Sequence, residues 1–326
     1  MGFNLPDSLR PDFLTKIVER FALDEGNLLA SKVAPILNIK GDVAQWTTIE
    51  NARDLGEFRA MDAPFKARKM GKVIDQTSRV LYADFKKPIP ESVMAYFNSG
   101  DKTGFENAVG REQKGLWNDV LRLWEYTVWQ MHTGTLAVNQ ADLKVTVDYK
   151  IPAGNKPVCP ATWATDTTDI VTHLKTWRKV CRDACGMNPD KMYVGANIMS
   201  YLLHNTSVKN FLGEQAYRET VGKTGVIPMF MGMTITEVES VYDASGTVTG
   251  VVGDDSLILT AGSDYATTHV GEARIRRGDE LATVAGRFSY ATAVDDPPSI
   301  MLFTGMHFLP VLEKPENVIY VADVTP

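Results

Sequence analysis

The sequence is poor in cysteine and has no long hydrophobic run. Its three cysteines, Cys159, Cys181 and Cys185, are too few and too close together for a disulfide framework in a chain of 326 residues, so we expect free thiols. No apolar run approaches the roughly 18 residues that a membrane-spanning helix needs. The N-terminal residues lack the apolar core and small-residue cleavage site of a secretory signal. These absences predict a protein without a membrane span that is made in a cytoplasm.

The sequence also lacks an excess of positive charge. Its formal net charge is −6, which argues against a protein whose main surface grips nucleic acid by neutralising phosphates. The charge is uneven, however, because the segment 51–87 has nine Lys and Arg against five Asp and Glu. A basic segment on an acidic chain favours a surface for a partner, including another copy of the chain. A solvated charged loop explains the same charges equally well.

Two short motifs resemble catalytic sites but are incomplete. VGKTG at 221–225 resembles the end of a phosphate-binding loop, yet Tyr217 stands where the first glycine is needed, and no strand leads into the motif. We interpret it as a surface loop. Gly253, Asp254 and Asp255 resemble paired metal-binding carboxylates, but without a partner set of acidic residues a hairpin turn is the better interpretation. An enzyme that uses these two carboxylates is the alternative hypothesis from a different functional class.

The cysteines, histidines and methionines do not have the spacing of a binding site. Cys181 and Cys185 are one helical turn apart, which suits two metal ligands, but no second ligand pair is present and core packing is favoured. The five histidines form no zinc-protease pattern, and AGSDYA at 261–266 fails as a nucleophile elbow at its second glycine. The methionine-rich stretch 228–233 is typical of a pliable contact surface or of a core-filling loop. The sequence therefore predicts no cofactor, no metal and no catalytic residue.

The N-terminal quarter of the chain is predicted to be extended. The apolar pattern of residues 1–50 is short and interrupted by proline, and we interpret this segment as an arm. Residues 52–85 alternate in places and have few core residues, which predicts a long two-stranded excursion with Val80, Tyr82 and Asp84 on one face. Because an isolated hairpin is marginal in water, this excursion needs a surface to lie on.

Two helices with continuous apolar stripes follow. The stronger is predicted over 111–133, a length of roughly 35 Å. Its apolar residues recur at helical spacing and are Trp117, Val120, Leu121, Trp124, Val128 and Met131. The second is predicted over 168–185, with Asp166 or Thr167 as its N-cap and Gly186 as its end.

The stretch YVGANIMSYLLHNTSVKNFLG at 193–213 predicts a strand, a turn at Gly195 and a helix that has Asn197 as its N-cap and is divided at Asn205. Phosphate-binding loops place several glycines between strand and helix, whereas only Gly195 is present here, so a scaffold role is favoured. Four apolar residues of the stretch are predicted to be buried within the subunit: Tyr201, Leu202, Phe211 and Leu212. Residues beyond 232 are mostly predicted short strands and turns.

Four stretches together carry a resemblance to a known family. They are LLASKVAPILNIKGDVAQW at 28–46, TSRVLYADFKKPIPES at 77–92, the long helix at 111–133, and the helix, strand and short helices at 169–213. In this order they resemble the major capsid proteins of tailed phages, which have the Hong Kong 97-type fold, and in detail the lambda-like family. The resemblance covers most of the chain, although no single stretch is diagnostic.

The resemblance implies an α+β Hong Kong 97-type capsid fold with four parts. Residues 1–50 are the N-terminal arm and 51–87 the extension loop, while 88–154 and 288–326 form a peripheral domain with a long spine helix, and 155–287 form the axial domain. The extension loop is expected to lie across a neighbouring subunit, which agrees with its basic charge and its lack of core residues. The expected intersubunit contact residues of the loop are Arg53, Arg59, Lys66, Arg68, Lys69, Lys72 and Arg79.

The implied function is structural rather than enzymatic. The resemblance implies a major capsid protein that assembles as hexamers and pentamers into the icosahedral head shell of a tailed phage and encloses double-stranded DNA. The implied partners are other copies of the chain, scaffolding, portal and decoration proteins, and the packaged DNA, which is bound without sequence specificity. The implied location is the virion, with synthesis and assembly in the host cytoplasm. The alternative within the same fold is an encapsulin-like nanocompartment that encloses cargo enzymes.

Overall fold

The computed structural model of the chain describes residues 14–15, 28–49, 61, 73–140, 143–244, 246–277, 280–295 and 298–326. Its first elements are α1 (Leu29–Val33), β1 (Ile36–Asn38), β2 (Val43–Ile49), β3 (Val73–Arg79), β4 (Leu81–Pro88), α2 (Glu91–Asn98), α3 (Lys102–His132), β5 (Thr135–Gln140), β6 (Leu143–Asp148), α4 (Ile170–Cys185) and β7 (Lys191–Val194). They are followed by α5 (Ala196–His204), α6 (Thr206–Leu212), α7 (Glu214–Thr224), β8 (Met229–Phe230), β9 (Met233–Glu237), β10 (Val241–Ala244), β11 (Thr247–Gly250) and β12 (Leu257–Thr260). The last elements are β13 (Ala266–Val270), β14 (Glu272–Arg277), β15 (Glu280–Ala285), β16 (Arg287–Asp295), β17 (Pro298–Leu312) and β18 (Val318–Val321).

The first of two five-stranded sheets is built on β17, a strand of 15 residues. Its order is β1-β13-β17-β16, and β4 also pairs with β17; β1 and β13 are parallel, and the other pairs are antiparallel. Helix α3 packs across one face of this sheet, where its tryptophans join Met306 and Phe308 in one core. Trp124 also donates from Nε1 to Thr268 Oγ1 on β13 at 3.0 Å. The helix and the sheet therefore form one layered unit.

Helix α3 confirms the predicted apolar stripe but is longer than predicted. It has 31 residues, begins after Asp101, whose side chain accepts a hydrogen bond from Gly104 N, and covers about 46 Å. The predicted start at 111 was wrong because Gly104 and Gly110 interrupt the apolar pattern and are poor helix formers. All six residues of the predicted stripe are buried. Among the described helices, none is both long and apolar enough to cross a membrane.

The second five-stranded sheet has the order β18-β12-β7-β9-β8. Helix α4 covers it and buries Ile170, Leu174 and Trp177 against its strands. The predicted N-cap of α4 was wrong: Asp169, not Asp166 or Thr167, accepts from Thr172 N at 3.0 Å. The prediction that Gly186 ends the helix is confirmed, with φ of 81°.

Strand pairing crosses the predicted domain boundary at 288. Strand β18 pairs with β12 in the second sheet, although the expected division places β12 in the axial domain and β18 in the peripheral domain. Strand β13, from within 155–287, pairs with β17 in the first sheet. The chain therefore passes between the two sheets more than once, and a boundary based on sequence position does not follow the hydrogen bonding.

Strands β2 and β3 form a two-stranded ribbon, but only β3 lies within the predicted excursion of 52–85, and β4 at its end pairs with β17 instead. Strands β2 and β3 pair antiparallel with Trp46 opposite Gln76, and because β2 begins at Val43 the ribbon starts within the predicted arm. The predicted face of Val80, Tyr82 and Asp84 was wrong. Val80 lies between β3 and β4, and it is buried together with the next residue, Leu81. This shifts the alternation by one residue and leaves Tyr82 57% exposed.

The stretch 193–213 forms β7, α5 and α6, as predicted in outline. Gly195, not Asn197, is the N-cap of α5, and Asn205 ends α5 and caps α6 by accepting from Ser207 N and Val208 N. Leu202 is fully buried and Tyr201 and Leu212 are half-buried, but Phe211 is 49% exposed. The prediction for Phe211 was wrong because the short helix α6 turns Val208 into the core and leaves Phe211 on its outer side, against Phe230.

Candidate assembly surface

The β2–β3 ribbon is held at its root by two hydrogen bonds between Gly41 and Glu272 of β14, one to the Glu272 side chain and one from its backbone. Gly41 N donates to Glu272 Oε2 at 3.1 Å, and Glu272 N donates to Gly41 O at 2.9 Å. Val80 N closes the root from the other side by donating to Asp42 O at 3.0 Å. At Gly271 a β-carbon would lie 2.7 Å from Gly41 O, so glycine is required for this approach. The root therefore fixes where the ribbon begins on the subunit.

Arg79 is the one predicted contact residue that lies within the described part of the chain. It ends β3, opposite Val43, and is exposed. The other six, Arg53, Arg59, Lys66, Arg68, Lys69 and Lys72, lie outside the described residues. One face of the ribbon is buried through Ala44 and Trp46, and the opposite face, which includes Asp75, is exposed.

The face of the first sheet that points away from α3 has a cleft of about 300 Å³. Alternate residues of β17 turn to α3, and those between them turn to the cleft. The rings of Tyr290 and Phe303, which lie opposite each other on β16 and β17, stack in the cleft with centroids 4.7 Å apart and planes 4° apart. The lining includes charged and titratable side chains, namely Asp84, Lys86, Arg274 and His307.

His307 and Gly305 shape the floor of the cleft. His307 Nε2 lies 3.1 Å from Asp84 Oδ1, and Nδ1 lies 3.3 Å from the backbone oxygen of Glu272. Both partners are hydrogen-bond acceptors, so His307 bridges β4 and β14 as a donor. At Gly305 a β-carbon would lie 2.4 Å from Asp84 Oδ1 and 2.8 Å from Phe288 Cζ. The missing side chain at Gly305 therefore lets Asp84 and Phe288 close over the strand.

The β10–β11 hairpin is a second exposed element with apolar residues. Its register places Val248 opposite Asp243 and Gly250 opposite Val241, so the two valines and the carboxylate share one face. On the other face, Tyr242 packs edge-on against Tyr126 of α3, with ring centroids 4.9 Å apart. Burial and the nearby Tyr242 hydroxyl raise the pKa of Tyr126. The tyrosine pair fixes the hairpin to α3 while its valine face stays open.

A sequence model of the family described as phage major capsid protein E matches residues 90–321, more than two thirds of the chain. The chain belongs to this family. Comparison with curated proteins gives no match.

Solved structures similar to this capsid protein share its fold at low sequence identity. A protein described as a proposed capsid protein of a prophage of Escherichia coli CFT073 is 14% identical with a TM-score of 0.65, covering 97% of this chain and 99% of the other. A phage-related protein of Bordetella bronchiseptica RB50 is 11% identical with a TM-score of 0.60, covering 97% and 98%. The virus-like particle from Pyrococcus furiosus is 10% identical with a TM-score of 0.52, covering 95% and 98%.

The family match and the fold together establish that the protein has a role in a capsid. The capsid protein has the mixed helix and strand architecture of the Hong Kong 97-type fold, and its family forms viral shells. It is a structural component of a virion and not an enzyme. The prediction of a tailed-phage capsid protein is therefore confirmed.

The two motifs that resembled catalytic sites have structural positions in the capsid protein. VGKTG was wrongly predicted to be a surface loop, since it forms the last turn of α7 and the C-cap at Gly225, with φ of 71°. Gly253, Asp254 and Asp255 form a turn, but not a hairpin, because β11 pairs with β10 and β12 pairs with β7 and β18. Asp255 Oδ1 accepts from Tyr201 Oη at 2.9 Å and from Asn197 Nδ2 at 3.1 Å. This turn anchors α5.

The cysteines and the methionine-rich stretch are also structural. Cys181 and Cys185 are buried with their sulfurs 3.8 Å apart, which confirms the prediction of core packing. In the described ranges, no group of three or more potential ligands is placed to hold a metal ion. Within 228–233, Met229 is exposed and Met233 is buried, so the stretch is partly a surface and partly core.

The cleft and the hairpin face were missed at the sequence level. Phe288 and Tyr290 are two residues apart and share a strand face, which was a signal that β16 has aromatic residues on the side away from α3. Nothing in the sequence indicates that Phe303 stacks on Tyr290, because that contact depends on the register of β16 against β17.

Proposed function

We propose that this capsid protein forms the hexamers and pentamers of the icosahedral head of a tailed phage and that the head encloses double-stranded DNA. The observation that supports the proposal most is the family match over residues 90–321, together with a two-stranded ribbon whose root is fixed. An extended loop that lies on a neighbour enlarges the interface without enlarging the subunit. Closed rings of identical subunits require this kind of contact between unlike surfaces.

In this proposal the extension loop lies across the neighbouring subunit. Seven cations are its proposed contacts: Arg53, Arg59, Lys66, Arg68, Lys69, Lys72 and Arg79. The charge supports this assignment, because the remainder of the chain is acidic and attracts a basic segment of another copy. The low core content of the loop supports it as well, since a two-stranded segment with few core residues is marginal alone and needs a surface to lie on.

The proposed domains are those of the fold, adjusted for strand pairing. Helix α3 with the first sheet forms the peripheral domain, and the second sheet with α4 and α5 forms the axial domain, whose loops face the ring centres. Strand β18 then belongs to the axial domain, because it pairs with β12. Strand β13 belongs to the peripheral domain, because it pairs with β17.

The net charge of −6 supports enclosure of DNA without tight binding to the wall. Scaffolding, portal and decoration proteins are proposed partners, and assembly in the host cytoplasm is the proposed setting. An encapsulin-like nanocompartment differs from this proposal in its contents, since it encloses enzymes rather than a genome.

The test is cryo-electron microscopy of particles purified from cells infected with the phage that encodes the chain. The proposal predicts shells with six-fold and five-fold capsomers that protect double-stranded DNA from nuclease. Shells that contain protein cargo and no protected DNA would instead identify a nanocompartment. Particles without five-fold or six-fold rings would contradict the proposed assembly.

A further inference from the structure

The β10–β11 hairpin presents an unusual combination of side chains to solvent. Val241 is 52% exposed and Val248 is 71% exposed, and Asp243 lies with them on the same face. Asp243 accepts from Gly246 N at the turn through Oδ1, and Oδ2 has no partner among the described residues. Exposed valines on a hairpin that Tyr242 holds rigidly to α3 lose little conformational entropy when they bind a surface.

The cleft on the first sheet offers the complementary chemistry. Its stacked pair, Tyr290 and Phe303, is only half-buried and presents a flat apolar surface next to Lys86 and Arg274. Neither cation has an ion-pair partner among the described residues, and the one carboxylate of the lining, Asp84, is already bound by His307. The cleft therefore fits an apolar segment that brings one carboxylate.

The hairpin of a subunit does not reach the cleft of the same subunit. The hairpin is fixed to α3 through Tyr242 and Tyr126, whereas the cleft is on the face of the sheet that points away from α3. The exposure of Val241 and Val248 shows directly that the valine face is uncovered within one subunit. Any contact between the two surfaces joins two copies of the chain.

We propose that the β10–β11 hairpin of one subunit docks in the sheet cleft of a second subunit, with its valines on the Tyr290 and Phe303 rings and Asp243 paired with Arg274 or Lys86. The inference rests on the proposed self-assembly and names one of its contacts. Because the two surfaces are different parts of the chain, the contact is heterologous and repeats around a ring until the ring closes. Burying an ion pair beside aromatic rings sets the register of the two subunits.

The test is an exchange of charges in the full-length chain. Arg274→Glu and Asp243→Lys each place like charges across the contact, and each is expected to lower the fraction of subunits in particles by about tenfold. The double variant restores an opposite pair and is expected to recover most of the wild-type fraction in sedimentation. Thermal melting of unassembled subunits checks that each variant folds.

A matched control uses Asp264, an exposed carboxylate outside the hairpin. Arg274→Glu combined with Asp264→Lys has the same net charge as the double variant, so recovery by general electrostatics would appear in both. The proposed contact predicts that Arg274→Glu is rescued by Asp243→Lys but not by Asp264→Lys. Equal recovery with Asp264→Lys would overturn the pairing.

Crosslinking provides a second measurement that does not depend on charge. Subunits with Val248→Cys are mixed with subunits with Lys86→Cys, assembled, and treated with a short bismaleimide; the three native thiols are buried. The contact predicts covalent dimers in the mixture and none with either variant alone. If wild-type particles form but the mixture gives no dimers and the double variant does not recover, the inference is overturned while the proposed function remains. If the wild-type chain forms no particles, the proposed function itself fails.

Discussion

His132 shows how a polar side chain is accommodated at the centre of the capsid protein. It is fully buried, with Nδ1 2.8 Å from Val128 O and Nε2 3.1 Å from Tyr265 Oη. The carbonyl can only accept, so Nδ1 carries the proton and Nε2 accepts from the tyrosine hydroxyl. Burial lowers the pKa of His132 to about 4. The neutral ring is therefore part of the folded core.

This burial makes the subunit sensitive to acid. An unfolded chain protonates His132 near pH 6.5, and the folded chain does so near pH 4. Above about pH 6.5, protonation of His132 does not reduce the free energy of unfolding. As the pH falls towards 4, protonation of the unfolded chain lowers this free energy by about 3 kcal/mol. His132→Gln is expected to flatten the pH dependence of urea denaturation in this window, with a smaller slope remaining because burial also lowers the pKa of His173 and His269.

The control for this prediction is His204→Gln, at an exposed histidine. It should leave the pH dependence of unfolding as in the wild type. A His132→Gln variant with an unchanged slope between pH 4 and 7 would contradict the account of His132.

Gly195 must be glycine because the backbone of the turn at 253 lies too close for a side chain. Its backbone dihedral angles alone would allow other residues. A β-carbon there would lie 2.1 Å from Gly253 O, and Gly195 N donates to Ser256 O at 3.0 Å. Gly195→Ala is expected to cost about 3 kcal/mol in the free energy of unfolding, because backbone must move. The matched control is Gly222→Ala on α7, where nothing lies within 4 Å of the added carbon and helix propensity improves. Equal free energies of unfolding for the two variants would show that the backbone at 253 can move aside without loss of stability.

At the scale of elements, the junction of α5 and α6 depends on Asn205. Its Oδ1 accepts from Ser207 N and Val208 N, and its Nδ2 donates to Thr168 O at 2.8 Å. Asn205→Ala removes the cap and leaves buried groups unpaired, so a loss of about 2 kcal/mol in chemical denaturation is expected. Asn210→Ala, at an exposed position of α6, serves as the control and should change stability by less than about 0.5 kcal/mol. A loss at Asn205 no greater than at Asn210 would contradict the capping role.

The sequence predicted elements well where one face of a helix is apolar. It predicted them poorly where contacts with distant residues determine which side chains are buried. The stripe of α3 and the stop at Gly186 are local signals, and both are confirmed. Phe211 was misassigned because helix periodicity does not reveal which of two neighbouring residues a seven-residue helix turns inwards. The shift of alternation at Val80 was missed because it depends on a hydrogen bond to Asp42. The strand pairing of β18 was missed because register and partner are not encoded in a single strand.

At the scale of the whole molecule, the charge of the chain is separated between a basic segment and an acidic remainder. This separation was visible in the sequence, but the surface that the segment contacts was not, because an interface belongs to two chains. The same limit applies to the cleft on the first sheet, whose complement is on the hairpin of another copy in the proposed contact. Sequence patterns predict which residues are buried within one subunit. Assembly determines which of the exposed surfaces a neighbouring subunit covers.

Charge reversal in the proposed extension loop tests its role. Lys66→Glu, Lys69→Glu and Lys72→Glu together are expected to reduce particle yield at least about tenfold while subunits still fold, because attraction to the acidic neighbour becomes repulsion. Raised salt should weaken wild-type assembly for the same reason. The control reverses Lys179, Arg182 and Lys223, which are exposed on α4 and α7. Equal yields from the two triple variants would show that the position of the charges does not matter.

The central claim, that the chain is a shell-forming capsid protein, is tested most directly by negative-stain electron microscopy of the purified full-length protein under assembly conditions. A shell-forming capsid protein gives closed particles of uniform diameter, together with rings of subunits that have not yet closed. A compact monomer under every assembly condition would contradict the central claim.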